Sequence, residues 1–164
     1  MVKKVSIYFA APLFGAADRH HNLLLARELE GLGYLVILPQ KEALKFFDGK
    51  KFDLKGIREG FKRQAMESRV IVANIDGTDA DSGTSLEVGL SLAVAGKKKP
   101  KVIGVRTDFR TDLEKEIGIN GMFGLADKII YKPAYFTSPE EAAEFYKDLA
   151  KEIDNAIKEL ISKE

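Results

Sequence analysis

The chain has 164 residues, with 26 Lys and Arg against 25 Asp and Glu and a net charge of +1. That length favours one domain over residues 1–164 with an adequate core, and the charge balance offers no basic surplus for nucleic acid. Cysteine is absent, which excludes disulfides and thiolate chemistry. Two adjacent histidines, His20 and His21, are too few for a structural zinc site. No apolar run is long enough to span a membrane. The N-terminus enters a strand-like run at once, without the apolar segment and cleavage site of a signal peptide, so a cytoplasmic protein is expected.

Residues 4–10 read as a buried strand and residues 11–15 as a loop. Asp18 suits the N-cap of a helix running to about Leu32, with Leu24, Leu25, Leu29 and Leu32 at helical spacing and Gly31 and Gly33 to stop it. Residues 34–39 are a second strand. Residues 40–53 are polar and irregular, and Phe46, Phe47 and Phe52 within them are most simply core anchors, a lid or subunit contact being the alternative. A helix over residues 54–68 precedes a third strand at 69–73. The next helix carries Glu87 and is broken by residues 96–100. A fourth strand covers 101–106, a polar and partly helical segment 107–118, and a short fifth strand 127–131. Ser138 and Glu141 form a capping-box pattern, with Pro139 at the first helical position, for a terminal helix. Strands alternating with helices imply a parallel sheet covered on both faces. With five strands, the flavodoxin-like order 2-1-3-4-5 is expected. It sets strands one and three side by side, with a ligand crevice beyond their carboxyl ends.

The loop at residues 10–15 and the turn at residues 76–87 open into that crevice. The turn collects Asp76, Asp79 and Asp81, two glycines and several hydroxyls, then Glu87 in a helix. A turn made for packing alone rarely gathers so much charge. Glu87 fits a capping box with Thr84, or it is a carboxylate placed as nucleophile or base. The acidic neighbours favour the second reading, because they raise the energy of a carboxylate that only caps. The three aspartates partly resemble a calcium loop. Counted from Asp76, however, the glycines fall at positions two and eight instead of six, although Glu87 lands at twelve. The expected metal content is none. Residues 82–85 offer helix N-terminal amides to a phosphate, which the flanking aspartates oppose. His20 and His21 are expected in a solvated, non-catalytic role.

Residues 7–14 (Ile-Tyr-Phe-Ala-Ala-Pro-Leu-Phe), 81–89 (Asp-Ser-Gly-Thr-Ser-Leu-Glu-Val-Gly) and 119–122 (Ile-Asn-Gly-Met) resemble the nucleoside 2-deoxyribosyltransferase family, in order and spacing, from the first strand to about Tyr131. The Asp-x5-Glu-x-Gly element with an N-terminal Tyr is fairly specific; the Asn-x-Met piece is weak by itself. The resemblance implies a flavodoxin-like domain that moves 2-deoxyribose between nucleobases without a cofactor. Glu87 matches the family nucleophile, which attacks C1′ and forms a covalent deoxyribosyl-enzyme. Tyr8 matches the tyrosine that orients it, and Asp81 the aspartate that binds the sugar 5′-hydroxyl. Phe14 matches an aromatic near the base, and Gly83 and Asp79 are expected beside the substrate. Asn120 matches an asparagine that completes a neighbouring subunit's site, so a homo-oligomer is implied. Deoxyribonucleoside and free nucleobase are the implied partners. Where many members carry Asp or Asn to hold the base or its leaving proton, this chain has Phe61, so the resemblance supplies no general acid.

Other readings stay open. A related hydrolase cleaves deoxynucleoside 5′-monophosphates, but tends to have a hydroxyl residue where Asp81 stands. A phosphoribohydrolase motif is matched only partly by residues 82–87. A nucleotide-sensing module would bind without turnover.

Overall fold

The computed structural model describes residues 4–96, 99–110 and 118–163. Its strands are β1 (Ser6–Ala10), β2 (Leu35–Ile37), β3 (Val70–Asn74), β4 (Lys101–Arg106) and β5 (Lys128–Tyr131). Its helices are α1 (Ala16–Gly31), a short α2 (Pro39–Glu42), α3 (Leu54–Glu67), α4 (Ser82–Leu92) and α5 (Pro139–Ser162). The five strands form one sheet in the order β2-β1-β3-β4-β5, and every pairing is parallel. The fold is therefore the expected doubly wound, flavodoxin-like α/β sheet.

Side chains alternate across each strand, and here both sets are apolar because both faces are covered. Ile7, Phe9, Val70, Val72, Ile103 and Val105 face α1 and α5 and pack on Leu25, Leu29, Leu149 and Ile153. Tyr8, Ala10, Ile71, Ala73 and Val102 face the other way, toward α3 and α4, and pack with Ala65 and Val88. The register places Ala10 beside Ala73, and Ala73 beside Gly104. In β1, β3 and β4 one row at the carboxyl end of the sheet thus carries nothing larger than a methyl group, just past the row that holds Tyr8 and Ile71, and continues in β5 as Ile129. A Cβ on Gly104 would come within 2.6 Å of Ile129.

Several local expectations are corrected. The α1 N-cap is Gly15, and Asp18 stands three residues on, accepting the Gly15 N–H at 3.0 Å. A carboxylate at the third helical position satisfies the cap amide as well as a cap side chain satisfies later ones, so the residue type alone does not tell the two positions apart. β2 is only three residues long, because Leu38 turns to cap α2 and Pro39 has no N–H to give a ladder. Residues 40–53 are more regular than expected. They hold α2, a 3-10 turn at Ala43–Phe46 and an antiparallel bridge between Phe47 and Phe52. Only Phe46 is an anchor: a Cβ at Gly56 or Gly60 would meet its ring at 2.7 and 2.9 Å, so two glycines one turn apart form its seat. Phe47 and Phe52 are partly exposed and stack on each other, ring centroids 4.8 Å apart. The expected partial helix over residues 107–118 falls largely on 111–117, outside the described residues. The start of α5 is as read, with Ser138 as cap, accepting Glu141 N–H at 3.2 Å, and Pro139 first; the Glu141 carboxylate, however, takes the Thr137 N–H and hydroxyl at 2.7 and 3.1 Å. Among the described residues, no helix is long and apolar enough to cross a membrane.

Candidate active site

Glu87 owes its place to the way α4 begins. Asp81 is the N-cap: its Oδ2 accepts the Thr84 N–H at 3.0 Å and the Thr84 hydroxyl at 3.3 Å. Ser82 is then the first helical residue, and Glu87 lies in the second turn, past the amides that a capping carboxylate serves. The Thr84–Glu87 capping box does not form. Glu87 instead accepts a hydrogen bond from the Tyr8 hydroxyl at 2.6 Å, a length typical of O–H donation to a charged oxygen. Tyr8 reaches it because strand alternation sends its ring to the α3/α4 face, where it is fully buried.

Burial dominates the electrostatics of this pair. It pushes the Glu87 carboxyl up to about 7, with the Asp81 charge adding to the rise and the Tyr8 hydrogen bond opposing it. The Tyr8 hydroxyl is pushed far above its ordinary value, first by burial and then by Glu87. A buried carboxyl that titrates near neutrality, held by one strong donor and placed beside a second carboxylate, is an arrangement suited to reaction.

The other residues singled out from sequence are distributed around this pair. Gly83 sits on the Asp81 cap, where an added Cβ would lie 3.0 Å from Oδ2. Asp79 is exposed and accepts the next amide, Ala80 N–H, at 3.1 Å. Phe14 is 80% exposed in the loop after β1, whose carbonyls at Leu13 and Phe14 are held by Arg19. Asn120 caps the 3-10 turn Gly121–Leu125, accepting Met122 N–H at 3.0 Å. Among the described residues, none of these four hydrogen-bonds to Tyr8 or Glu87. Phe61 packs against the Tyr8 side of the core, so no carboxylate occupies its place.

Sequence reading missed the residues that tie β3 to β4 at this end. The Asp76 carboxylate accepts Thr107 N–H, Thr107 Oγ1–H and Asp108 N–H at 2.6, 2.6 and 2.8 Å. Buried Arg106 donates to the carbonyls of Ile75 and Gly77 at 2.9 and 3.0 Å. Asp76 stood out only as a possible metal ligand; its partners lie 31 and 32 positions away, which no local pattern shows. His21 was expected in solvent. It is instead wedged between Phe9 and Tyr146, with Nδ1 at 2.9 Å from the tyrosine hydroxyl, and burial lowers its pKa. His20 is exposed as expected. Among the described residues, no group of three His, Asp or Glu could hold a metal ion. A cleft of about 950 Å³ lies at the opposite, amino end of the sheet, lined by Lys4, Ser6, Arg63, Met66 and Arg69 among others. The Tyr8–Glu87 pair is the stronger candidate, since the switch point of such a sheet lies beyond the carboxyl ends.

Fold and site together define a doubly wound α/β protein with a buried tyrosine–carboxylate pair at its switch point. The chain belongs to the nucleoside 2-deoxyribosyltransferase family, whose model matches residues 7–123. No curated protein matches the sequence. Among solved structures it is similar to a conserved protein from Enterococcus faecalis V583, at 25% identity and a TM-score of 0.63 over 89% of this chain and 99% of that one. It is similar to a 2-deoxyribosyltransferase from Bacillus psychrosaccharolyticus, at 20% identity and 0.59 over 85% and 90%. A Leishmania mexicana 2-deoxyribosyltransferase aligns at 21% and 0.52 over 88% and 97%. At these identities the two named transferases speak for the fold.

Proposed function

We propose that the protein transfers 2-deoxyribose from a deoxyribonucleoside to a free nucleobase, with Glu87 as the nucleophile. The observation that carries this reading is the 2.6 Å bond from Tyr8 to a buried Glu87 at the switch point. A Glu87 oxygen attacks C1′, the C1′–O bond forms, and the glycosidic C1′–N bond breaks with its electron pair leaving on the base, which takes up a proton from water. The incoming base then attacks C1′, the Glu87 carboxylate departs, and that base gives its N–H proton to water, which balances the first. Two displacements at one carbon give net retention, as in retaining glycosidases. Tyr8 orients the carboxylate and disperses its charge as it leaves. Asp81 uses Oδ2 for the helix cap, which leaves Oδ1 to accept the sugar 5′-hydroxyl. Gly83 puts no side chain against the Asp81 carboxylate, where a Cβ would lie 3.0 Å from the capping Oδ2, Asp79 stands at the mouth, and Phe14 offers a face to the base. Asn120 would complete the site of a neighbouring subunit in a homo-oligomer.

The carboxylate at position 81 also argues for an unphosphorylated substrate, because a 5′-phosphate would meet a like charge. The test is one assay: purified protein, deoxyadenosine, and a second base in excess. A new deoxynucleoside appears if the reading is right. Release of base with no new nucleoside would make the protein a hydrolase, and no change in any of several base pairs would leave it a binding module.

A further inference from the structure

The β4 exit braces the turn that places Glu87, and it does so at an energetic cost that a plain connection does not need. The β3–β4 ladder ends with Ile75 N–H on Val105 O, 2.9 Å long. Past that point six hydrogen bonds from residues 106–108 hold residues 75–77. Arg106 holds two carbonyls, Asp76 gathers three donors, and Gly77 N–H reaches Asp108 Oδ2 at 3.2 Å. Arg106 is 2% exposed, and its guanidinium makes no ion pair among the described residues. Its second nitrogen holds Arg110 O at 3.2 Å, while the buried Nε has no partner among the described residues. Burying a cation on carbonyls is expensive. Gly77 adds a second constraint, with φ at +105° and a would-be Cβ 2.9 Å from Asp79 O. Four residues beyond Gly77 the chain reaches Asp81, the cap that sets the start of α4 and hence the position of Glu87.

We infer that Asp76 and Arg106 are positioning residues that brace the β3–α4 turn and so hold Asp81 and Glu87 in reacting geometry. The inference rests on the reading of Glu87 as nucleophile. Displacing a nucleophile by about 1 Å can cost on the order of 10²-fold in rate, so loosening the brace should reach catalysis without touching substrate.

The most conservative probe is Thr107→Val, which removes one hydroxyl donor at nearly constant shape; Asp76→Ala removes all three acceptances. Asp76→Asn keeps the oxygen that holds both amides and serves as the rescue. Each is read by thermal melting, by kcat and KM, and by carbon-13 titration of the Glu87 carboxyl. The expected result is a fall of at least tenfold in kcat/KM for Thr107→Val and more for Asp76→Ala, with most activity recovered in Asp76→Asn. The double variant Thr107→Val with Asp76→Ala should be no worse than Asp76→Ala alone. Glu87 should titrate closer to an ordinary glutamate as water enters and Asp81 moves. Should Thr107→Val and Asp76→Ala fold, keep kcat/KM within twofold and leave the Glu87 titration unmoved, the brace is structural only and the inference is overturned. If wild type transfers no sugar at all, the proposed function fails, while the Glu87 titration still decides whether the brace positions it.

Discussion

At the scale of single residues, the Tyr8–Glu87 pair links stability to activity with opposite signs in pH. A carboxyl pushed up from 4.5 to about 7 in the fold binds its proton more tightly there than in the unfolded chain. The stability it lends is fully present below the unfolded value and is lost as pH rises through about 7. Glu87→Gln removes that titration. Relative to wild type it should gain stability on going from pH 5 to pH 8.5, on the order of 2–3 kcal/mol. Urea denaturation at the two pH values measures this, and an equal difference at both would show that Glu87 is not desolvated. The same substitution should abolish transfer, because in the proposed reaction the nucleophile is the carboxylate. For that reason kcat/KM of wild type should climb tenfold per pH unit below about 7 and level off above it. The Tyr8 hydrogen bond is the influence that lowers the Glu87 value. Tyr8→Phe should therefore slow transfer moderately and move the rising limb to higher pH; a limb that stays put or moves down would contradict the pairing.

At the scale of elements, the proposed reaction gives α4 two jobs through one residue. Asp81 caps the helix through Oδ2 alone, so its second oxygen takes no part in the cap. Serine is an equally good cap, so Asp81→Ser should leave thermal stability within about 0.5 kcal/mol while removing the charge. It should then narrow or reverse the preference for deoxyadenosine over its 5′-monophosphate, measured as the ratio of kcat/KM values. A wild type that already prefers the monophosphate would displace Asp81 from the sugar. What could be read from the sequence follows the range of the forces involved. The buried strands announce themselves as apolar runs, since both faces of a parallel sheet are covered, and β1, β3 and β4 stand within a residue or two of where those runs fall. The acidic turn before α4 is legible by its density of charge. Helix starts are legible where the cap type is unambiguous, as at Ser138–Pro139, and not where an aspartate stands, because Asp18 and Asp81 belong to the same residue type and serve different positions. Nor is the seat of Phe46 legible: two glycines in α3 look like weak helix positions until the ring that fills them is known. The brace of Asp76 and Arg106 joins residues about thirty apart, and His21 finds Tyr146 across 125 positions; such contacts exist only once the sheet has formed.

At the scale of the whole molecule, the sheet order decides where chemistry can occur. Bringing β1 beside β3 puts Tyr8 next to Ile71 and lets the turn after β3 deliver a carboxylate over the same face. Ala10, Ala73 and Gly104 bring small side chains to that end of the sheet, and Ile75 and Ile129 fill the space over Gly104. Both ends of the acidic turn are fixed, one by β4 and one by the α4 cap. The central claim is that deoxyribose passes through a covalent bond to Glu87. The direct measurement is mass spectrometry of protein mixed with a deoxyribonucleoside, quenched in acid without an acceptor base and digested. Wild type should show one added deoxyribosyl group on the peptide containing Glu87, lost when an acceptor base is added before the quench, and Glu87→Gln should show none. Steady transfer of sugar with no adduct, or an adduct on any other residue, would contradict it.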